Sequence, residues 1–179
     1  MGKEIKIRDK KFTKFISADK IQRSISRIAK KINKDFKRRK PLFISVLNGS
    51  FMFTADLLKK INVECEVSFV KLASYSGTSS SGKVRELIGL NMDIKGRDVI
   101  ILEDIVDSGN TIKGIMAGLQ KQGPVQIRIA TLFFKPDAYK GDIKLDYVGM
   151  EVPNDFLVGY GLDYDGMGRN MPDIYKITT

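Results

Sequence analysis

From Ala18 to Lys37 the apolar residues Ile21, Ile25, Ile28, Ala29, Ile32 and Phe36 recur at helical spacing, with lysines and arginines between them. The pattern predicts an amphipathic helix with Ser17 as its cap. The period then changes. PLFISVL (Pro41–Leu47) is a continuous apolar run behind a proline and predicts a strand buried on both faces. NGS breaks it, and FMFTADLLKKI, from Phe51 to Ile61, reads as a second helix. CEVSFVKLAS (Cys65–Ser74) alternates like a strand, with Cys65 expected in the core. YSGTSSSGK follows, too rich in Ser and Gly to pack. RDVIIL is a third strand, Asn110–Gln122 a helix closed by Gly123-Pro124, and VQIRIATLFF a fourth strand. LDYVGM and FLVGYG are shorter candidates. Strands alternating with helices predict an α/β fold, a parallel sheet flanked by helices. With no internal repeat and no dividing linker, residues 1–179 read as one domain.

Composition narrows the chemistry. No apolar run approaches the ~20 residues that span a bilayer, and the polar, basic start lacks the apolar stretch of a signal peptide, so a cytoplasmic protein is expected. A single cysteine cannot form an internal disulfide, and the absence of histidine removes His-based triads and the usual zinc sites. A general base must then be a carboxylate, a lysine or a tyrosine. The net charge of +10 is unevenly spread: residues 1–40 hold 16 of the 31 Lys and Arg and 4 of the 21 Asp and Glu, a net of +12, which leaves −2 for the rest. A solvated basic helix face explains this, and an anion or RNA surface is the alternative.

The most informative stretch is VIILEDIVDSGNTI, Val99 to Ile112. It sits where an apolar strand ends, the position at which open α/β sheets bind ligands. Ser108 and Gly109 make a tight turn, and Asn110 and Thr111 open a helix whose N–H groups and dipole face an anion. No Walker motif is present. Glu103, Asp104 and Asp107 would repel a phosphate, so they need another partner. Sugar hydroxyls donate to carboxylates, and Mg²⁺ accepts their oxygens. A ligand carrying a ribose beside a phosphate satisfies both halves.

An apolar run followed by Glu-Asp, two apolar residues and Asp-Ser-Gly-x-Thr resembles the phosphoribosyl-diphosphate signature of the type I phosphoribosyltransferases. LNGSFMFTADL (Leu47–Leu57), SYSG (Ser74–Gly77), FFKPD (Phe133–Asp137) and VPNDFLVGYGLDYDGMGRNMP (Val152–Pro172) are similar, in order and spacing, to the hypoxanthine-guanine members of that family. The resemblance runs from about Pro41 to the C-terminus. It implies a mainly parallel twisted sheet flanked by helices, with a small hood made by the chain-terminal segments. It also implies purine salvage: transfer of the phosphoribosyl group of 5-phosphoribosyl 1-diphosphate to hypoxanthine or guanine, with Mg²⁺ as cofactor and a homodimer or homotetramer as the assembly.

Position by position, the resemblance places Glu103 and Asp104 at the ribose hydroxyls and metal, and Asp107 near the purine imidazole edge as general base. The turn Asp107, Ser108, Gly109, Asn110 and Thr111 would hold the 5′-phosphate. Leu47, Asn48, Gly49, Ser74, Tyr75 and Arg169 would meet the diphosphate. Lys135 would read the 6-oxo group, Phe156 would stack on the base, and the backbone of Leu157 would read its N1 edge. Asp163 would serve the purine pocket and a second metal, completing a metal set of Glu103, Asp104 and Asp163. Asn48 stands where many relatives have Lys or Arg, so the backbone of Asn48 and Gly49 is expected to act without a side-chain charge. The Leu47–Asn48 peptide is the position linked in the family to a non-proline cis bond. Residues 74–91 would form a mobile active-site loop, and 152–179 the purine-binding and hood region. The competing reading, an RNA-binding regulator on the same fold, is motivated by the +12 segment. FFKPD and FLVGYGLDYDG favour the purine enzyme, so nucleic acid is not the expected partner.

Overall fold

The computed structural model describes residues 4–73, 85–90 and 92–178, with the backbone alone for 72–73 and 85–88. Two strands open the chain, β1 (Glu4–Ile7) and β2 (Lys10–Ile16), paired as an antiparallel hairpin. Helix α1 (Ala18–Asp35) follows, and the Ser17 hydroxyl accepts from the Lys20 N–H as its cap. Then come β3 (Leu42–Leu47), α2 (Phe51–Leu58), β4 (Glu66–Ala73), β5 (Arg85–Ile88), β6 (Asp98–Val106), α3 (Asn110–Gln120) and β7 (Gln126–Phe134). Strands β8 (Tyr147–Glu151), β9 (Leu157–Val158) and β10 (Ile174–Ile177) complete the fold.

The main sheet has the order β5-β4-β3-β6-β7-β8. Its strands β4, β3, β6, β7 and β8 run parallel, and β5 is antiparallel at one edge. Alternate residues of β3 and β6 serve opposite faces. Phe43, Ile100 and Leu102 pack with α1 and α2, while Leu42, Ile44, Val99 and Ile101 pack with Ile112, Ile115 and Leu119 of α3. Burial on both faces is why these strands read as unbroken apolar runs.

The second sheet, β1-β2-β10-β9, joins the two ends of the chain and forms the hood. The hairpin β1–β2 is a finding beyond the sequence reading. Phe12 is fully buried there with Val158 and Tyr175, while Phe15 on the other face is 40% exposed. Four expectations need correction. Strand β6 continues through Glu103 and Asp104 to Val106 rather than ending at Leu102, because it keeps pairing with β7 as far as Phe134. Strand β9 has only two residues, since Gly159 and Gly161 turn the chain sharply at φ +107° and +99°. Cys65 is half-buried at the rim of the core rather than within it, just before β4 begins, and partial desolvation raises its thiol pKa. Of residues 74–91, expected as a loop, Arg85–Ile88 instead form β5, held to β4 by antiparallel pairing, and residues 74–84 and 91, with Ser74 and Tyr75, lie outside the described residues.

Candidate active site

The C-terminal ends of β3, β6 and β7 present three loops to one another. Strand β6 delivers Glu103 and Asp104 while still paired, so both are held by the sheet rather than by a loop. Glu103 is 5% exposed. Burial, and secondarily the neighbouring Asp104 charge, push its carboxyl well above the usual range. Burial likewise raises Asp104 to about 6, opposed by the Ile105 N–H, which donates to its Oδ1 at 2.9 Å, and by Arg169. Two desolvated carboxylates at consecutive positions of one strand end are acceptors in search of a cation or of hydroxyl donors.

Below them the chain turns into α3. Gly109 occupies the N-cap position at φ +86° and has no side chain to cap the helix, and the Ser108 hydroxyl accepts only weakly, at 3.5 Å, from the Asn110 N–H. The first N–H groups of the helix are therefore available to an anion. Among the described residues, a cavity of about 280 Å³ is lined by Glu103 through Ile112. A second cavity, of about 320 Å³, is lined by Asp104, Ile105, Asp107, Lys135, Phe156, Leu157, Leu162 and Asp163. The two share Asp104, Ile105 and Asp107. The candidate phosphate cradle and the pocket with the base-reading candidates thus adjoin across the ribose candidates.

In the second cavity, Lys135 is 9% exposed. Its Nζ lies 2.9 Å from Asp107 Oδ2, and its N–H donates to the Val106 carbonyl. Phe156, 43% exposed, is steadied by Phe12 at 6.4 Å and by an edge-on Tyr164 at 5.7 Å between ring centroids. Leu157 is buried and pairs with Lys176 of β10. The hood therefore fixes the exposed aromatic face.

The first loop follows β3. The Leu47–Asn48 peptide is cis. A Cβ on Gly49 would overlap the Asp104 carboxylate, and a Cβ on Gly161 would overlap the Gly49 carbonyl. Only glycine permits this stacking of Asp104, Gly49 and Gly161. Ser50 donates to the Val46 carbonyl at 2.6 Å, and a buried hydroxyl chain joins Ser50, Ser45 and Thr54 at 2.7 Å per link, which anchors the loop to α2. Arg169 reaches this corner by donating to the Gly161 carbonyl at 2.7 Å and pairing with Asp163 at 2.8 Å. Asp163 also accepts from the Gly166 N–H at 2.7 Å. With Asp163 so engaged, Glu103, Asp104 and Asp163 do not converge into a preformed cage; no cluster of three such ligands occurs among the described residues.

Sequence reasoning missed Tyr139. Its ring lies where a Cβ on Gly109 would be, its hydroxyl donates to the Ile143 carbonyl at 2.6 Å, and it packs edge-on against Phe134. The neighbouring Lys140 N–H donates to the Ser108 carbonyl at 3.4 Å. The turn after Lys135 thus braces the Ser108–Gly109 turn. The available signal was an aromatic four residues beyond the FFK motif.

An acceptor-rich sheet end, an uncapped helix start behind a glycine turn and an adjoining aromatic pocket define a phosphoribosyl-handling α/β protein. Residues 16–165 match the model of the phosphoribosyl transferase domain. The hypoxanthine-guanine phosphoribosyltransferase of Mycobacterium bovis is 42% identical over 163 residues, covering 87% of this chain and 81% of that protein. Its counterpart in Streptococcus pyogenes is 42% identical over 157 residues, covering 87% of each. A crystal structure of a Bacillus anthracis hypoxanthine-guanine phosphoribosyltransferase superposes with a TM-score of 0.87 at 35% identity, covering 98% of this chain and 99% of that one. The chain belongs to the phosphoribosyltransferase family, in its hypoxanthine-guanine branch.

Proposed function

We propose that the chain transfers the phosphoribosyl group of 5-phosphoribosyl 1-diphosphate to hypoxanthine or guanine, giving IMP or GMP and diphosphate. The observation that carries this reading is the pair of adjoining cavities joined at Asp104, Ile105 and Asp107. One suits a phosphate, the other a planar base, and acceptors lie between them.

In the reaction the bond from the ribose anomeric carbon to diphosphate breaks, and a bond to the purine N9 forms. Asp107 takes the N9 proton. Lys135 donates to the 6-oxo oxygen, a contact that the 6-amino group of adenine cannot accept. Phe156 stacks on the base, and the Leu157 backbone reads its N1 edge. Glu103 and Asp104 accept from the ribose hydroxyls, and Asp107–Thr111 hold the 5′-phosphate. The Asn48 and Gly49 backbone and Arg169 face the leaving diphosphate, whose growing charge is stabilised by donors already in place. Ser74 and Tyr75, which the resemblance assigns to the diphosphate, lie outside the described residues.

The donor set fits Mg²⁺. That ion takes one or two carboxylates and keeps water or phosphate oxygens for the rest, so the absence of a three-acid cage is no obstacle. Glu103 and Asp104 would hold it at the ribose, and Asp163 would serve a second ion. When bound, Mg²⁺ neutralises charge on the diphosphate. Phe51, Val67 and Phe69, each about two-fifths exposed, supply an apolar surface for a homodimer or homotetramer.

Steady-state kinetics of Asp107→Asn test the assignment of the base. Turnover should fall at least 100-fold while purine and phosphoribosyl-diphosphate KM change little; wild-type turnover would overturn it.

A further inference from the structure

Two-thirds of the sequence excess of +12 has a definite place in the fold. Residues 18–40 carry ten basic and two acidic residues. Arg23, Lys30, Lys31, Lys34, Lys37 and Arg38 are all exposed, and none has an ion-pair partner among the described residues. One of the two acids, Asp35, is engaged by Arg128 at 2.7 Å and by the Tyr147 hydroxyl at 2.8 Å, which leaves the cations unneutralised. At its C-terminal end the stripe runs into a cavity of about 560 Å³ whose lining includes Lys34, Lys37, Arg38, Arg39, Lys40 and Glu64.

Like charges three and four residues apart weaken a helix, so the stripe stands against the helix's own stability. Residues 41–179 are net −2, so a generally basic composition does not account for it. The cavity lies where α1 leads into the start of β3. Arg39 pairs there with Asp98, the first residue of β6. The active site occupies the other end of the same strands. Whatever binds here does so without blocking that site.

We propose that the outer face of α1 and the cavity at its end form a docking surface for single-stranded RNA, gripped mainly through its phosphates. An 18-residue helix is ~27 Å long, enough for several successive phosphates rather than one. The strand must leave the helix face and enter a concavity, which suits a flexible single strand and not a stiff duplex. No large apolar side chain is exposed on α1 among the described residues, so nothing there inserts into a bilayer. Glu64, the acid in the cavity, pairs with Lys40 at 2.6 Å. It repels phosphate but accepts from a ribose 2′-hydroxyl, which DNA lacks.

The test uses the whole protein and a fluorescein-labelled 20-nucleotide RNA, with anisotropy read across a salt series. Wild type should give a steep fall of log affinity with log salt. The variant Lys34→Gln/Lys37→Gln/Arg38→Gln should bind about 100-fold more weakly at 0.1 M salt, with the slope shallower by about 2, from ~0.7 per phosphate contact on a single strand. A control of equal charge change, Lys95→Gln/Lys121→Gln/Lys144→Gln, should bind like wild type. Purine transfer should be unchanged in both, and failure of the transferase reading would leave this binding test intact. Equal binding by wild type and the first variant, or equal loss in the control, overturns the proposal. DNA of the same sequence binding as tightly as RNA overturns the assignment to RNA. Binding to anionic phospholipid vesicles without binding to RNA overturns the choice of partner.

Discussion

Asp104→Asn should make the protein more stable while disabling it. The Asp104 carboxyl titrates at about 6 in the folded chain against an ordinary 3.8, chiefly because it is desolvated. The folded state therefore holds this proton more tightly than the unfolded state does. Stability falls as pH rises from about 4 to 6 and stays reduced above that. At ~1.4 kcal/mol per pH unit the penalty at pH 8 is ~3 kcal/mol. Asparagine removes the titration and also relieves Glu103, whose own rise owes a part to the Asp104 charge. The buried amide carries its own desolvation cost, so ~3 kcal/mol is the ceiling. For a chain of 179 residues that is ~6–12 °C in Tm. Scanning calorimetry of the ligand-free protein at pH 4 and pH 8 should show a gain at pH 8 and little or none at pH 4. Phosphoribosyl-diphosphate binding, followed by titration calorimetry, should weaken. An equal gain at both pH values, or a lower Tm at pH 8, would refute the assignment of the penalty to this carboxylate.

Gly49→Ala places a methyl in the space of the Asp104 carboxylate; kcat/KM should fall 10- to 100-fold, from one charge-assisted hydrogen bond lost at ~1.5–3 kcal/mol, with an unchanged circular dichroism spectrum. Tyr139→Ala removes the brace behind Gly109 and should raise KM for phosphoribosyl diphosphate about tenfold with the purine KM unmoved, while Tyr139→Phe, which loses only the bond to Ile143, should do less. Lys135→Met should lower kcat/KM for hypoxanthine ~100-fold and narrow the preference over adenine, read from competing-substrate kinetics.

The elements that were legible in the sequence are those whose pattern is local. Helix α1 shows because Ile21, Ile25, Ile28, Ile32 and Phe36 all face one core. The runs in β3, β6 and β7 show because both sheet faces are covered. The hairpin β1–β2 was hidden because its buried residues, Ile7, Phe12 and Ile16, are too widely separated by lysines and an exposed Phe15 to give a clean period. Within the site, Glu103 to Thr111 form one continuous segment, so their neighbourhood follows from the chain. The contact of Gly161 with Gly49 joins segments far apart in the chain, and the brace from Tyr139 comes from a residue unmarked by any motif. No sequence period encodes them. The burial of Glu103 depends on β6 continuing past Leu102, which rests on its pairing with β7 rather than on its own residues.

The most direct measurement is product formation from 5-phosphoribosyl 1-diphosphate with hypoxanthine, guanine, xanthine and adenine in turn, with and without Mg²⁺, resolved by chromatography. Hypoxanthine or guanine should give IMP or GMP with one diphosphate released per nucleotide, only when Mg²⁺ is supplied, and adenine should give no more than trace product. Turnover of adenine as fast as of the best 6-oxopurine, or no nucleotide from any 6-oxopurine by the intact folded protein, would contradict the proposed roles of Lys135, Glu103 and Asp104.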